Sequence, residues 1–212
     1  MDDEQKLRTE IVNVMVRLYQ KNINTASGGG VAARIPNSEY FLVTPSSVVK
    51  PDLRIGDIVK CNMEGDVVKG ELRPSGEKRT YLAIFKKLTN IAAIVHADSP
   101  VIMGLTEAGV RIKPMTVMHV NVGLCEVPLL PCTSEFYDTK GLHITETKKF
   151  DEVVIDKLKR SRVIILEKHG TYTIGESLRE AFCRMELLEE AGVIMHIARI
   201  FRKEHPEGWT LA

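Results

Sequence analysis

Two short runs constrain the fold of this chain more than anything else in it. Ile91–Asp98, IAAIVHAD, and Val163–Gly170, VIILEKHG, are apolar and rich in β-branched residues, and each leads into a histidine, His96 and His169. Runs of this length and composition read as buried strands. Side chains at the ends of such strands are rigidly held, so imidazoles there can converge on one point. Ahead of the first run lies Pro74–Glu77, PSGE, a turn that brings a carboxylate to the start of a helical pattern.

In a strand, positions i and i+2 face the same side. His96 and Asp98 can therefore address one ion if the extended run reaches that far. His169 offers a third ligand, and the Glu77 carboxylate would complete the set. Neutral imidazole with carboxylate suits a divalent cation such as zinc, manganese or iron. A competing reading makes Asp98 a helix cap, because Asp followed by Ser-Pro often opens a helix. His119, His143, His196 and His205 have no comparable context and read as surface or packing residues. The Met115–Met118 stretch reads as packing.

The chain has 212 residues, enough for one domain with a substantial core, so a single domain over residues 1–212 is expected. The net charge of +1 provides no long-range field, which makes nucleic acid and anionic membrane poor partners and a small molecule the better one. The four cysteines, Cys61, Cys125, Cys132 and Cys183, lack paired spacing. With no targeting sequence at the charged N-terminus, reduced thiols and a cytoplasmic location are expected. No apolar run approaches the ~20 residues needed to span a bilayer.

The periodicities predict one α/β domain with a mainly antiparallel or mixed sheet rather than a doubly wound one. Leu7, Ile11, Met15 and Leu18 mark an amphipathic helix over Glu4–Gln20. Tyr40–Thr44 reads as a strand, and Asp57–Cys61 with Asp66–Lys69 as a hairpin turning at Glu64–Gly65. Tyr81, Phe85 and Leu88 mark a helix over Lys78–Leu88. A short helix is expected near Pro100–Glu107 and another over Lys149–Leu158. Val120–Val127 is ambiguous, and Pro128–Thr145 reads mostly as loop. Tyr172–Ile174 returns as a strand, and Ser177 caps a long helix that runs to about Phe201.

Three loops carry small residues: Ser27–Gly30, Pro45-Ser46-Ser47 and Pro74-Ser75-Gly76. Each is read either as a plain turn or as a nest of amides for a phosphate or carboxylate.

Taken together, SGGGVAAR, FLVTPSSV, PSGE, IVHAD, EKHG and the long final helix resemble the class II aldolase/adducin family over most of the chain. The resemblance implies a mainly antiparallel central sheet flanked by helices, and a homotetramer with active sites between subunits. It implies a divalent metal, zinc foremost with manganese or iron as alternatives, held by three residues that correspond to His96, Asp98 and His169. Glu77 matches the family's acid/base glutamate. Gly29, Gly30, Ser46, Ser47, Ser75 and Gly76 match its phosphate-binding loops. The implied activity is that of a lyase in carbohydrate metabolism: carbon–carbon cleavage of a small hydroxy-carbonyl compound, with the ion stabilising the enediolate.

Departures from that pattern keep other readings open. Gly30 stands where the aldolases usually have asparagine, Ala32 where serine is usual, and Asp98 where the second histidine of an H-x-H pair is usual. Met118 falls near the place of a tyrosine that reaches a neighbouring subunit. A carboxylate ligand lowers the site's charge, and His-x-Asp with a distant His is also the ligand pattern of non-haem iron oxygenases. The alternatives are therefore a decarboxylase, an epimerase or an iron-dependent oxygenase on the same fold, and a non-catalytic adducin-like scaffold.

Overall fold

The computed structural model describes residues 2–46, 48–112, 124, 127–134, 136–140 and 143–204. Ser47, Met115–Met118, His119, Cys125 and His205 lie outside the described residues, as does the greater part of Val120–Val127. The backbone of His143 is described, but its side chain is not.

Ten strands and five α-helices follow one another irregularly along the described chain. Helix α1 spans Asp3–Gln20, capped by the Asp2 carboxylate, which accepts from the Gln5 amide at 2.7 Å. Strands β1 (Gly30–Arg34), β2 (Tyr40–Val43), β3 (Val59–Asn62) and β4 (Val67–Lys69) form a meander. Helix α2 (Lys78–Lys87) leads into β5 (Ala93–Ala97) and α3 (Pro100–Glu107). Next come β6 (Leu129–Leu130), β7 (Tyr137–Lys140), β8 (His143–Glu146) and α4 (Lys148–Arg160). Strands β9 (Val163–Leu166) and β10 (Gly170–Gly175) precede the long helix α5 (Leu178–Glu204). Ser177 caps α5 as expected, its hydroxyl accepting from the Glu180 amide at 3.2 Å.

Eight strands make one sheet in the order β4-β3-β2-β1-β5-β10-β9-β6. All neighbours are antiparallel except β6 and β9. The expectation of a loop over Pro128–Thr145 is corrected: β6 adds to the sheet edge there, and β7 pairs with β8 in a separate hairpin. A two-residue strand between Pro128 and Pro131 leaves no alternation to read.

Burial alternates along the central strands and divides the core into faces. Ala32, Ile94, Ile164, Leu166, Tyr172 and Ile174 pack with Phe85 of α2 and Phe150 of α4. Val31, Ala33, Ala93, Val95 and Ala97 pack on the opposite face with Met15 of α1 and Phe182 of α5. Helix α3 closes a third cluster against α5 through Ile102 and Leu188. By this alternation His96 shares the face of Ile94, under α2 and α4. Cys61, Cys132 and Cys183 are unbridged. Among the described residues no helix is long and apolar enough to cross a membrane.

Candidate metal centre

Strand β5 is the middle of the sheet, and His96 lies across from Gly30 on β1 and Tyr172 on β10. Only 3% of its side chain is exposed. Its Nδ1 lies 3.0 Å from the Thr171 carbonyl. A carbonyl can only accept, so the Nδ1 proton donates to it and the Nε2 lone pair faces the other way. Tyr172 packs edge-on against the ring at 4.8 Å, fixing its plane.

His169 arrives from the turn between β9 and β10. Lys168 has φ 59° and Gly170 φ 146°, which folds this turn back sharply. A Cβ on Gly170 would stand 2.6 Å from the Ala97 carbonyl oxygen and 2.8 Å from His96 Cε1. The bare glycine is what lets the two rings approach to 5.2 Å between centroids.

Glu77 occupies the N-cap position of α2, but its side chain makes no capping bond. Its amide donates instead to Ser75 Oγ at 3.3 Å, and the carboxylate turns to the histidines. Oε1 lies 3.0 Å from His96 Nε2 and 3.4 Å from His169 Nε2. Oε2 accepts from the Tyr81 hydroxyl. Burial opposes charge on Glu77, yet the imidazoles and the Tyr81 hydroxyl hold its carboxyl below the usual range. Burial also pulls the His96 imidazole below its ordinary value, with Glu77 working against that and His169 with it.

These facts together describe a site that could hold a cation. With its proton on Nδ1, His96 presents a lone pair to an ionised oxygen 3.0 Å away. Two lone pairs facing each other are unfavourable unless a positive charge lies between them. Burial disfavours an imidazolium, and a metal cation bound there would supply that positive charge. One donor atom from each of Glu77, His96 and His169 lies within 4.8 Å of the others. Two imidazole nitrogens and a carboxylate oxygen suit zinc, manganese or iron alike.

Asp98, expected beside His96 as a ligand, is not in this group. Strand β5 ends at Ala97, and Ser99 turns left-handed at φ 38°. Same-face alternation therefore stops short of Asp98. Its Oδ2 accepts from Thr25 Oγ1 at 3.2 Å, and its amide donates to Asn24 Oδ1 at 3.3 Å. Nor is Asp98 the cap of α3, since Ser99 holds that position without a side-chain bond.

The loop residues divide. Gly30 begins β1 beside Ser75, whose Oγ lies 3.6 Å from where a Cβ of Gly30 would be. Gly29 has φ 67°, and a Cβ there would meet Asn24 Nδ2 at 2.1 Å and the His96 carbonyl at 2.7 Å. The 45–46 and 74–76 loops are joined by a Pro45–Pro74 bridge and by the Ser75 amide donating to the Thr44 carbonyl at 3.0 Å. Gly76 faces open space. Ser46 directs both its amide and its hydroxyl to the Arg73 carbonyl. Ser47 lies outside the described residues.

The sequence reading missed two groups. Tyr81 was visible only as a core position of α2, although it follows Glu77 by one helical turn. Lys50 carried no signal at all. It is 3% exposed, and its Nζ donates to the Pro45 carbonyl at 3.1 Å. Burial lowers its pKa, while Glu77 and Asp98 pull the other way.

The fold and this centre define a mainly antiparallel α/β protein with a carboxylate and two histidines under one helix terminus. The chain belongs to the family of the class II aldolase and adducin N-terminal domain, matched over residues 9–196. An L-ribulose-5-phosphate 4-epimerase of Salmonella typhi is 25% identical over 200 residues, 92% of this chain and 86% of that protein. The solved structure of an L-fuculose-1-phosphate aldolase from Thermus thermophilus is 25% identical with a TM-score of 0.77, covering 97% of this chain and 98% of that one. A sugar-phosphate aldolase from Thermotoga maritima, 18% identical, shares the fold with a TM-score of 0.72 over 92% of this chain and 96% of its own.

Proposed function

We propose that this chain is a divalent-metal-dependent carbon–carbon lyase that cleaves a small hydroxy-carbonyl substrate, of the sugar-phosphate type, by a retro-aldol reaction. The observation that carries the reading is the His96 Nε2 lone pair facing Glu77 Oε1 at 3.0 Å, with His169 Nε2 at 3.4 Å from the same oxygen. His96, His169 and Glu77 hold the cation, and Asp98 stands outside the ligand set. A bound divalent ion draws electron density from a substrate carbonyl and lowers the pKa of a neighbouring hydroxyl. Glu77 is the acid/base. Its carboxylate takes the proton of the hydroxyl on the carbon being released, the carbon–carbon bond breaks, and the electron pair stays on the carbon next to the carbonyl. The same carboxyl then protonates that carbon. The amides of Gly29, Gly30 and Gly76, with Ser47 and Ser75, hold the anionic end, and Ser46 joins them when its hydroxyl turns away from the Arg73 carbonyl. Assembly as a homotetramer with sites between subunits belongs to the same proposal.

Epimerisation is the second reading, favoured by the relative named as a 4-epimerase. A stereocentre β to a carbonyl inverts when the adjoining bond is broken and remade, so the same residues serve both outcomes. Incubation with L-fuculose 1-phosphate or L-ribulose 5-phosphate, with zinc, manganese or ferrous iron added, separates them. Release of a three-carbon or two-carbon fragment is the expected result, and interconversion without fragments establishes the epimerase. Neither outcome, in protein that also takes up no metal, rejects both readings. Light scattering tests the tetramer.

A further inference from the structure

We infer that Tyr81 is a positioning residue for Glu77, and that Gly30 is bare because the Tyr81 hydroxyl needs its space. The inference rests on the proposed role of Glu77 and adds a pair of residues specific to this chain. Tyr81 follows Glu77 by four residues, so on α2 it lies one turn away on the same face. Its ring is fully buried and packs edge-on against Tyr172 at 6.1 Å, which in turn packs against His96. The phenol thus has a fixed orientation, and its hydroxyl donates to Glu77 Oε2. With Oε2 engaged, the carboxylate presents Oε1 to the two imidazoles.

The opposite wall of this hydroxyl is strand β1. A Cβ built on Gly30 would stand 2.9 Å from the Tyr81 hydroxyl oxygen and 3.2 Å from Thr44 Oγ1. Any side chain at position 30 therefore crowds the hydroxyl that Glu77 Oε2 accepts from. Gly30 also lies directly across from His96 in the sheet register, so that crowding would occur beside the cation site. One backbone position and one hydroxyl together set where the acid/base oxygen points. The anionic end of a substrate must then be held without a side chain from residue 30.

The test uses the full chain loaded with Co2+, whose visible spectrum reports the ligand set. Tyr81→Phe removes only the hydroxyl. It should weaken Co2+ binding on the order of 10- to 100-fold, as loss of a ligand's hydrogen-bond partner does. It should also move the spectrum in the direction that Glu77→Gln moves it. In parallel, Gly30→Ala should lower Tm by about 2–10 °C when Tyr81 is present. Less than half of that loss should remain in the Tyr81→Phe background.

Native Co2+ affinity and spectrum in folded Tyr81→Phe overturn the inference, as does a Gly30→Ala penalty indifferent to the hydroxyl. A wild type that takes up no Co2+ defeats the metal-centre reading instead. The metal-free Gly30 and Tyr81 cycle then decides alone: hydroxyl-dependent loss supports the pairing, and hydroxyl-independent loss refutes it. Should Tyr81→Phe fail to fold, Gly30→Ala carries the test, since an unchanged Co2+ spectrum in that variant refutes the pairing.

Discussion

His96 and His169 place their Nε2 atoms on the same carboxylate oxygen, but the backbone holds them in different ways. His96 belongs to the central strand β5, is paired on both sides, and has Nδ1 bound to the Thr171 carbonyl. His169 sits in a turn, with 28% of its side chain exposed, at a bend that needs a bare Gly170. One imidazole is part of the core and faces the proposed metal site. The other is presented to the site by loop geometry and is the more exposed of the two. Binding and stability should therefore separate at one of these positions and coincide at the other.

The largest effect follows from that separation. His96→Ala and His169→Ala should each abolish stoichiometric metal uptake, measured by elemental analysis after dialysis. Only His96→Ala should also destabilise the fold strongly, by about 2–4 kcal/mol, because it leaves a cavity beside Tyr172. His169→Ala should stay within about 0.5 kcal/mol of wild type in denaturant unfolding. Equal stability losses at the two positions would erase the distinction drawn between strand and turn.

Glu77→Gln tests the group where the two imidazoles meet. The amide keeps the shape of the carboxylate and remains a hydrogen-bond partner for Tyr81, but cannot carry the proton. Turnover should fall about 10²- to 10⁴-fold with the circular dichroism spectrum unchanged. Undiminished turnover would remove Glu77 from the acid/base role.

Strand and turn also differed in how far the sequence revealed them. The runs at Ile91–Asp98 and Val163–Gly170 marked β5 and β9 because buried strands are continuously apolar, and each histidine followed from its run. Glu77 was legible because PSGE stops one element and starts α2. The H-x-D argument for Asp98 assumes an extended backbone through position 98. Pairing in β5 ends at Ala97, and the Asp98 carboxylate accepts from Thr25 on a loop far away in sequence. The site group absent from the sequence reading, Tyr81, did leave a signal: Glu77 and Tyr81 are spaced i, i+4 on a helix. Its apolar ring satisfied the core pattern and hid the hydroxyl. Lys50 could not be found this way, because its partners lie on other segments of the chain.

Acid should act first through His96. Its folded pKa lies below the ordinary value of 6.5, so between those two values the unfolded chain binds the proton and the folded one does not. Stability should therefore fall as pH drops below about 6.5. The depressed Glu77 carboxyl adds a second loss in the same direction as pH falls below its ordinary value of 4.5. Thermal unfolding scanned from neutral pH downward should show the first decline in the wild type and a shallower one in His96→Gln. His169→Gln leaves the buried strand imidazole in place but removes a neighbour that lowers its pKa, so its decline should fall between those of the wild type and His96→Gln.

The smallest expected effect is at Asp98, where the strand has ended and the loop rule takes over. Its carboxylate accepts from Thr25 and packs on bare Gly28, whose Cβ would fall 1.8 Å from Oδ2. Asp98→Asn keeps an acceptor for Thr25 and fits the same space, so metal stoichiometry should be unchanged. The loss of one charge from a half-buried group outside the ligand cluster should alter affinity by only a few-fold. Loss of metal in Asp98→Asn comparable to that in His169→Ala would show that Asp98 swings in to bind. The strand argument would then extend past Ala97, and the boundary between rigid and loop-borne ligands would move with it.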